Sequence, residues 1–259
     1  MSGSLIPTVN FENFDPASYM EDYYAHGSWL YMEGEDLPFA MRQLHHFFSS
    51  HNIGGTRLLD VGTGPTVHSI ISAAPHVENI DLSDYAEKNR KYLQAWWKNG
   101  QDYTPEFIKF VVDLEKSGQT PDERQSEMRS KVKNIFPIDV TKQSLLGTPP
   151  SQTYDIIIAS LCFEAASRNL TDYENCVKNV SSVLRNGGHL IVCGELDATF
   201  YKVGDFRFPS VTISKEQAKK IYNEQGFDIV EFNDLVPPHP GEDPSSDFHS
   251  MFMMLAKKR

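Results

Sequence analysis

Two rhythms of apolar positions alternate along the chain. Short apolar runs bounded by turn residues read as buried strands, and longer stretches with apolar side chains recurring every three or four positions read as helices. Strands are expected at 57–61, 77–82, 134–139, 154–160, 189–193, 227–232 and 250–257, and a hairpin at 200–208. Residues 14–29 are aromatic and acidic, with Tyr19, Tyr23 and Tyr24 at helical spacing. Residues 36–52 carry Leu37, Phe39, Ala40, Leu44, Phe47 and Phe48, a broad helical stripe that Gly54 and Gly55 terminate. Further helices are expected at 67–74, 85–98 and 214–225. The charged stretch 100–131 reads as a mostly helical insertion across a sheet edge.

Strands alternating with helices imply an α/β fold built on a doubly wound, mainly parallel, Rossmann-like sheet of seven strands. The last two strands are joined by a Pro-rich loop without a helix, which predicts antiparallel pairing at one sheet edge. One domain spanning 1–259 follows, with N-terminal lid helices in 1–52 and the core in 53–259.

Composition narrows the classes. The chain has 35 acidic against 24 basic residues, a formal charge of -11 that opposes a phosphate backbone, so no nucleic-acid partner is expected. No apolar run is long enough to span a bilayer and the first residues lack a secretory pattern, so a cytoplasmic protein without a membrane partner is expected. Cys162, Cys176 and Cys193 match neither a disulfide framework nor a metal motif, and read as reduced thiols.

The chemistry concentrates after the first strand, at Gly62, Thr63, Gly64, Pro65 and Thr66, where a doubly wound sheet binds its ligand. Glycines there permit tight backbone angles and a close approach to a ligand. A nicotinamide dinucleotide is the first alternative, and an oxidoreductase would follow from it. Its fingerprint needs a third glycine where Val67 stands, and Pro65 interrupts the turn. Asp84, 20 residues after Gly64 at the end of the second strand, suits both hydroxyls of an adenosine ribose; Asp81 is the other carboxylate in reach. Asp139 ends the third strand, where it suits an adenine amino group while the Val140 amide faces a ring nitrogen. Capping the turn before Thr141 is its other possible role.

These stretches resemble a known family, the S-adenosylmethionine-dependent methyltransferases that include nicotinamide, phenylethanolamine and indolethylamine N-methyltransferases. The resemblance runs through FDPASYMEDYY at 14–24, LLDVGTGPT at 58–66, SDYAEKNRKYLQAWW at 83–97, IDVTK at 138–142, SLCFEAA at 160–166 and LRNGGHLIVCGELDATFYKVG at 184–204. It implies S-adenosylmethionine as cofactor and S-adenosylhomocysteine as product. It also implies that Tyr19 and Tyr24 close over the cofactor, that Gly62, Thr63, Gly64 and Thr66 pass beneath its methionine part, and that Asp84 and Asn89 hold the ribose. Asp139 and Val140 take the adenine, and Ser160 lies near the amino-acid end. His68 stands where the family usually has a tyrosine.

The implied acceptor is a small amine, methylated at nitrogen by a monomeric enzyme without a metal. The resemblance nominates Glu164, Glu195 and Asp197 as catalytic acids and Tyr201, Ser210, Asp247 and His249 as substrate contacts. Only Glu164 falls where the phenylethanolamine enzyme has an amine-binding glutamate: its other acids correspond to Ala198 and Ser246. The nicotinamide enzyme's carboxamide-binding aspartate corresponds to Gly194, although its partner serine is matched by Ser210. A family member that binds the cofactor without catalysing transfer is the remaining alternative.

Overall fold

The computed structural model describes residues 11–24, 36–100, 105–147 and 152–259. Helix α1 is Pro16–Tyr24 and α2 is Asp36–Ser50; the rest of the expected helix at 14–29 lies outside the described residues. The core then runs β1 Gly55–Val61, α3 His68–Ile71, β2 Val77–Asp84, α4 Glu87–Asn99, α5 Pro105–Glu115, α6 Pro121–Lys131, β3 Val132–Pro137 and β4 Tyr154–Ser160. It continues with α7 Phe163–Ala166, α8 Leu170–Ser181, β5 Leu184–Leu196, β6 Phe200–Val203, β7 Phe206–Pro209, α9 Lys215–Glu224, β8 Phe227–Leu235 and β9 Ser250–Lys258.

Seven strands form one sheet in the order β3-β2-β1-β4-β5-β9-β8, and β6 and β7 form a separate antiparallel hairpin. Pairing is parallel from β3 through β5, and β9 runs antiparallel to both β5 and β8. The last two strands thus pair antiparallel at one sheet edge, as expected, with β8 outermost. Alternation divides the sheet between two cores. Leu58, Ile80, Ile156, Ile158, Ile191 and Met253 pack with α2 to α6, while Leu59, Val61, Ile157, Val192, Phe252 and Met254 pack with α8 and α9.

Several boundaries differ from the sequence pattern, each for a local reason. Helix α2 stops at Ser50, and left-handed Asn52, with φ of 50°, turns the chain before the glycines; Gly55 already belongs to β1. Helix α3 has four residues, because Pro75 soon diverts the chain. Strand β5 extends through 185–188, where a turn was expected, with a register shift against β4.

The stretch 100–131 is mostly helical, as expected, and is packed into the core. Its helices α5 and α6 bury Phe107, Ile108, Val111, Val112 and Met128 in the first core. A capping box between Thr120 and Glu123 starts α6. Arg124 beneath it is 1% exposed, donating to Ile71 O at 2.9 Å and pairing with Glu115 at 2.5 Å. Asp81, the alternative to Asp84, is likewise structural: it pairs with Arg57 and accepts from Asn134 and Tyr154.

Candidate active site

Parallel strands deliver their carboxyl ends to one rim of the sheet, and a cavity of about 780 Å³ opens there. Its floor is the turn after β1, with Asp60, Gly62, Thr63, Gly64 and Thr66; its walls include Ser160, Glu164 and Glu195, and Tyr19, Tyr23 and Tyr24 lie on the α1 side. The loop with Pro237, Pro238 and 242–246 contributes a further wall.

The two glycines of the turn do different work. Both have left-handed φ, 68° at Gly62 and 67° at Gly64, which glycine adopts without steric cost. A methyl group on Gly62 would lie 2.5 Å from Cys162 Sγ, so this glycine admits the neighbouring loop after β4. At Gly64 a methyl group would meet nothing within 4 Å, and its N–H donates to Asp84 Oδ2 at 2.8 Å.

Asp84 is therefore tied into the turn. Its Oδ1 accepts from Ala86 N at 2.7 Å and Asn89 Nδ2 at 3.2 Å, leaving Oδ2 the oxygen with more free acceptor capacity. Burial holds its carboxyl above the usual range, opposed by these bonds. Asn89 Oδ1 beside it is buried without a partner. Ribose hydroxyls directed at both Asp84 and Asn89 fit this donor and acceptor pattern better than two hydroxyls on Asp84 alone.

Asp60, a polar residue inside the apolar run of β1, is the signal the sequence pattern left unread. It is 1% exposed, Ser69 Oγ donates to its Oδ2 at 2.5 Å, and its Oδ1 has no partner. Burial pushes its carboxyl up to about 7. An unpartnered carboxylate oxygen on the cavity floor suits an ammonium group. His68, at the start of α3, is held down to about 4 by burial and so is a neutral hydrogen-bonding group near Thr66, at 3.3 Å, and Tyr24.

The tyrosines form a linked set. Tyr19 packs on Tyr23 at 5.0 Å and Tyr24 at 5.5 Å between ring centroids, and Tyr24 sits edge-on to Phe107. Tyr23 Oη donates to Lys202 O at 2.8 Å, joining α1 to β6. Phe14 and Tyr201 close the same corner against Phe208.

At the acceptor end, Glu164 is 3% exposed. Its Oε1 accepts from Glu195 N at 3.1 Å, and its Oε2 is buried with no partner. A side chain on Gly194 would overlap Oε1 and lie 2.5 Å from Phe252 Cε1, so the glycine leaves the space the carboxyl occupies. Burial pushes Glu164 up to about 7. Glu195 accepts from Ser246 Oγ at 3.0 Å and is pushed up to about 8 by burial, with Glu164 and Asp36 adding repulsion that the Ser246 bond opposes. Asp36 opens α2 and lines the same cavity, raised to about 6 by burial and by Asp243.

Other expected residues lie outside the cavity lining. Asp197 is exposed, with φ of 59°, where the chain leaves β5 after buried Leu196. Asp247 accepts from Thr199 N, Thr199 Oγ1 and Phe200 N, which makes it the anchor of the β6 hairpin. His249 is exposed beside Gly241, and its amide donates to Leu196 O at 3.0 Å. Asp139 caps its turn through Thr141 N and Oγ1, and Val140 O accepts from Asn179. Asp84, Asn89, Asp139 and Val140 stand beyond the lining on the β2–β3 side, whereas Ser160, Tyr201 and Ser210 are part of it. Among the described residues, His46, His51 and Glu231 place metal-competent atoms together, and none of the three lines the cavity.

The family model described as the NNMT/PNMT/TEMT family matches residues 5–259. The chain belongs to that family. Its fold and cofactor are those of S-adenosylmethionine-dependent N-methyltransferases. The family member is 28% identical to the human nicotinamide N-methyltransferase, over 99% of this chain and 97% of that one. It is 28% identical to the phenylethanolamine N-methyltransferase of Macaca mulatta, over 99% and 93%, and 29% identical to the indolethylamine N-methyltransferase of Oryctolagus cuniculus, over 96% and 94%. The magnesium protoporphyrin IX methyltransferase of Synechocystis, solved with bound S-adenosylhomocysteine, shares the fold at a TM-score of 0.59 and 12% identity, with 96% of each chain covered.

Proposed function

We propose that this family member methylates the nitrogen of a small amine in the cavity beneath Tyr19, Tyr23 and Tyr24. The observation that carries the reading is Glu164, a nearly fully buried carboxylate in the cavity wall with one oxygen held by the Glu195 amide and the other buried without a partner. An unpaired buried carboxylate is costly, and an ammonium ligand offsets that cost.

The cofactor fits the residues present. Asp60 would take the methionine ammonium, and Thr66, His68 and Tyr24 would lie by its carboxylate, with Gly62, Thr63, Gly64 and Ser160 around the chain between. Asp84 and Asn89 would take the ribose; Asp139 and Val140 remain the nearest groups for the adenine, with Asp139 giving up part of its cap. When bound, S-adenosylmethionine supplies an electrophilic methyl on a sulfonium.

The chain's own work is positioning and proton handling. Glu164 orients the ammonium, and Glu164 or Glu195, raised to about 7 and about 8, accepts the proton that frees the nitrogen lone pair. The aromatic wall, with Tyr201 and Ser210 near the acceptor, excludes water. No helix among the described residues is long and apolar enough to cross a membrane, and the described thiols are unpaired.

The test is methyl transfer from methyl-labelled S-adenosylmethionine to a panel of arylalkylamines and pyridines. Labelled small-molecule product, lost in Glu164→Gln with cofactor binding retained, is expected. Label in no small molecule would leave a cofactor-binding protein without this activity.

A further inference from the structure

The acids around the acceptor end outnumber what one amine can neutralise. Asp36, Glu164 and Glu195 come from α2, α7 and β5 into one cavity, whose described lining holds a single lysine, Lys202, and no arginine. Two carboxylate oxygens there are buried without any partner, Glu164 Oε2 and Asp36 Oδ1. Glu195, in contrast, has Ser246. The cofactor does not account for the excess, because its own ammonium has a dedicated orphan oxygen on the floor, Asp60 Oδ1.

A monoamine would satisfy Glu164 and leave the buried Oδ1 of Asp36 unpaired, an arrangement that is costly for a carboxylate. From the two orphan oxygens on α2 and α7 in the lining of one cavity, we infer that the acceptor carries two cationic centres: a reactive amine at Glu164 and Glu195, and a second ammonium seated on Asp36. This rests on the amine-methylation reading and names its substrate class, a diamine. In the transfer, the lone pair of the first nitrogen forms the N–C bond, the C–S bond breaks with its electron pair on sulfur, and the nitrogen's proton passes to Glu164 or Glu195. The second ammonium keeps its charge throughout.

The test compares a terminal hexanediamine with hexylamine, in binding to the protein saturated with S-adenosylhomocysteine and in methyl transfer. Binding of the diamine about tenfold tighter or better is expected, with the diamine-to-monoamine ratio falling to near one in Asp36→Asn. Asp36→Ser, which keeps a small polar side chain without charge, should collapse the ratio equally. Equal affinity for the two amines, or an Asp36→Asn protein that keeps the preference, overturns the proposal while leaving amine methylation standing. A diamine preference in binding that depends on Asp36, with neither amine methylated, supports the second cation site and sinks the methylation reading instead.

Discussion

Gly194→Ala tests how the acceptor carboxylate is seated. The new methyl group would overlap Glu164 Oε1 and approach Phe252 Cε1 to 2.5 Å, and Phe252 is fully buried and stacked on Phe232 at 5.0 Å. The aromatic pair has no space to retreat, so the flexible glutamate yields. Overpacking of this kind costs about 1–3 kcal/mol. The displaced carboxylate also loses the bond from Glu195 N, a charge-assisted contact worth about 1.5–3 kcal/mol, part of which a new solvent contact returns. A loss of about 2–4 kcal/mol in denaturant unfolding is expected, together with a fall in kcat/KM of one to two orders of magnitude, on the order of the same contact energy in the transition state. Affinity for S-adenosylhomocysteine should hold within about twofold, since Gly64 and Asp84 are untouched. Combining it with Glu164→Ala removes the clash, so the double variant should be more stable than the two single losses added together, by about 1–2 kcal/mol. A Gly194→Ala protein that is destabilised but keeps its kcat/KM would mean that Phe252 moves and the carboxyl does not, and would refute the account of how Glu164 is placed. Additive losses would refute it as well.

Two further outcomes follow from the carboxylates. Asp84→Ala removes the acceptor of the Gly64 and Ala86 amides along with the ribose contact, so S-adenosylhomocysteine should bind about ten- to a hundredfold more weakly by calorimetry, and unchanged affinity would remove Asp84 from the cofactor site. Glu164 and Glu195 titrate near 7 and 8 because burial disfavours their charged forms, so kcat/KM for an amine should climb as pH rises from about 6 to about 8. For stability the sign is opposite: the unfolded chain releases these protons near 4.5, before the folded one does, so the ligand-free protein should lose stability as pH rises through that same range and level off above it. Thermal melts at the two ends should show this, with a smaller difference in Glu164→Gln; a melting temperature that increases toward about pH 8 would contradict the burial of neutral carboxyls.

The strand and helix rhythm carried the sheet, its order of elements and its carboxyl rim, because apolar runs beside glycine turns are local signals. The place of Asp84 at the end of the second strand was legible for the same reason. The helices of residues 100–131 were legible but their burial was not, because surface charges on α5 and α6 masked the stripe of Phe107, Ile108, Val111 and Val112, and Tyr24, which packs on Phe107, is remote in sequence. Asp36 carried no signal of its own, since an acid opening a helix reads as ordinary dipole compensation. Asp247 and His249 flank the lining residue Phe248 in sequence, and three bonds from Thr199 and Phe200 hold Asp247 on the hairpin, while left-handed Asp197 is exposed.

What decides the acceptor end is a relation between residues that no linear pattern contains. Gly194 is opposite Phe252 across the β5–β9 pairing, and only that antiparallel register brings the ring against the space where the glycine lacks a side chain. Gly194 makes room on β5 for an acid from α7, and the next residue, Glu195, supplies both an amide to hold it and a second carboxyl in the same cavity. The chain thus places two carboxylates, from α7 and β5, in the wall of one cavity. Substrate choice in this member should accordingly follow the charge and spacing of Asp36, Glu164 and Glu195.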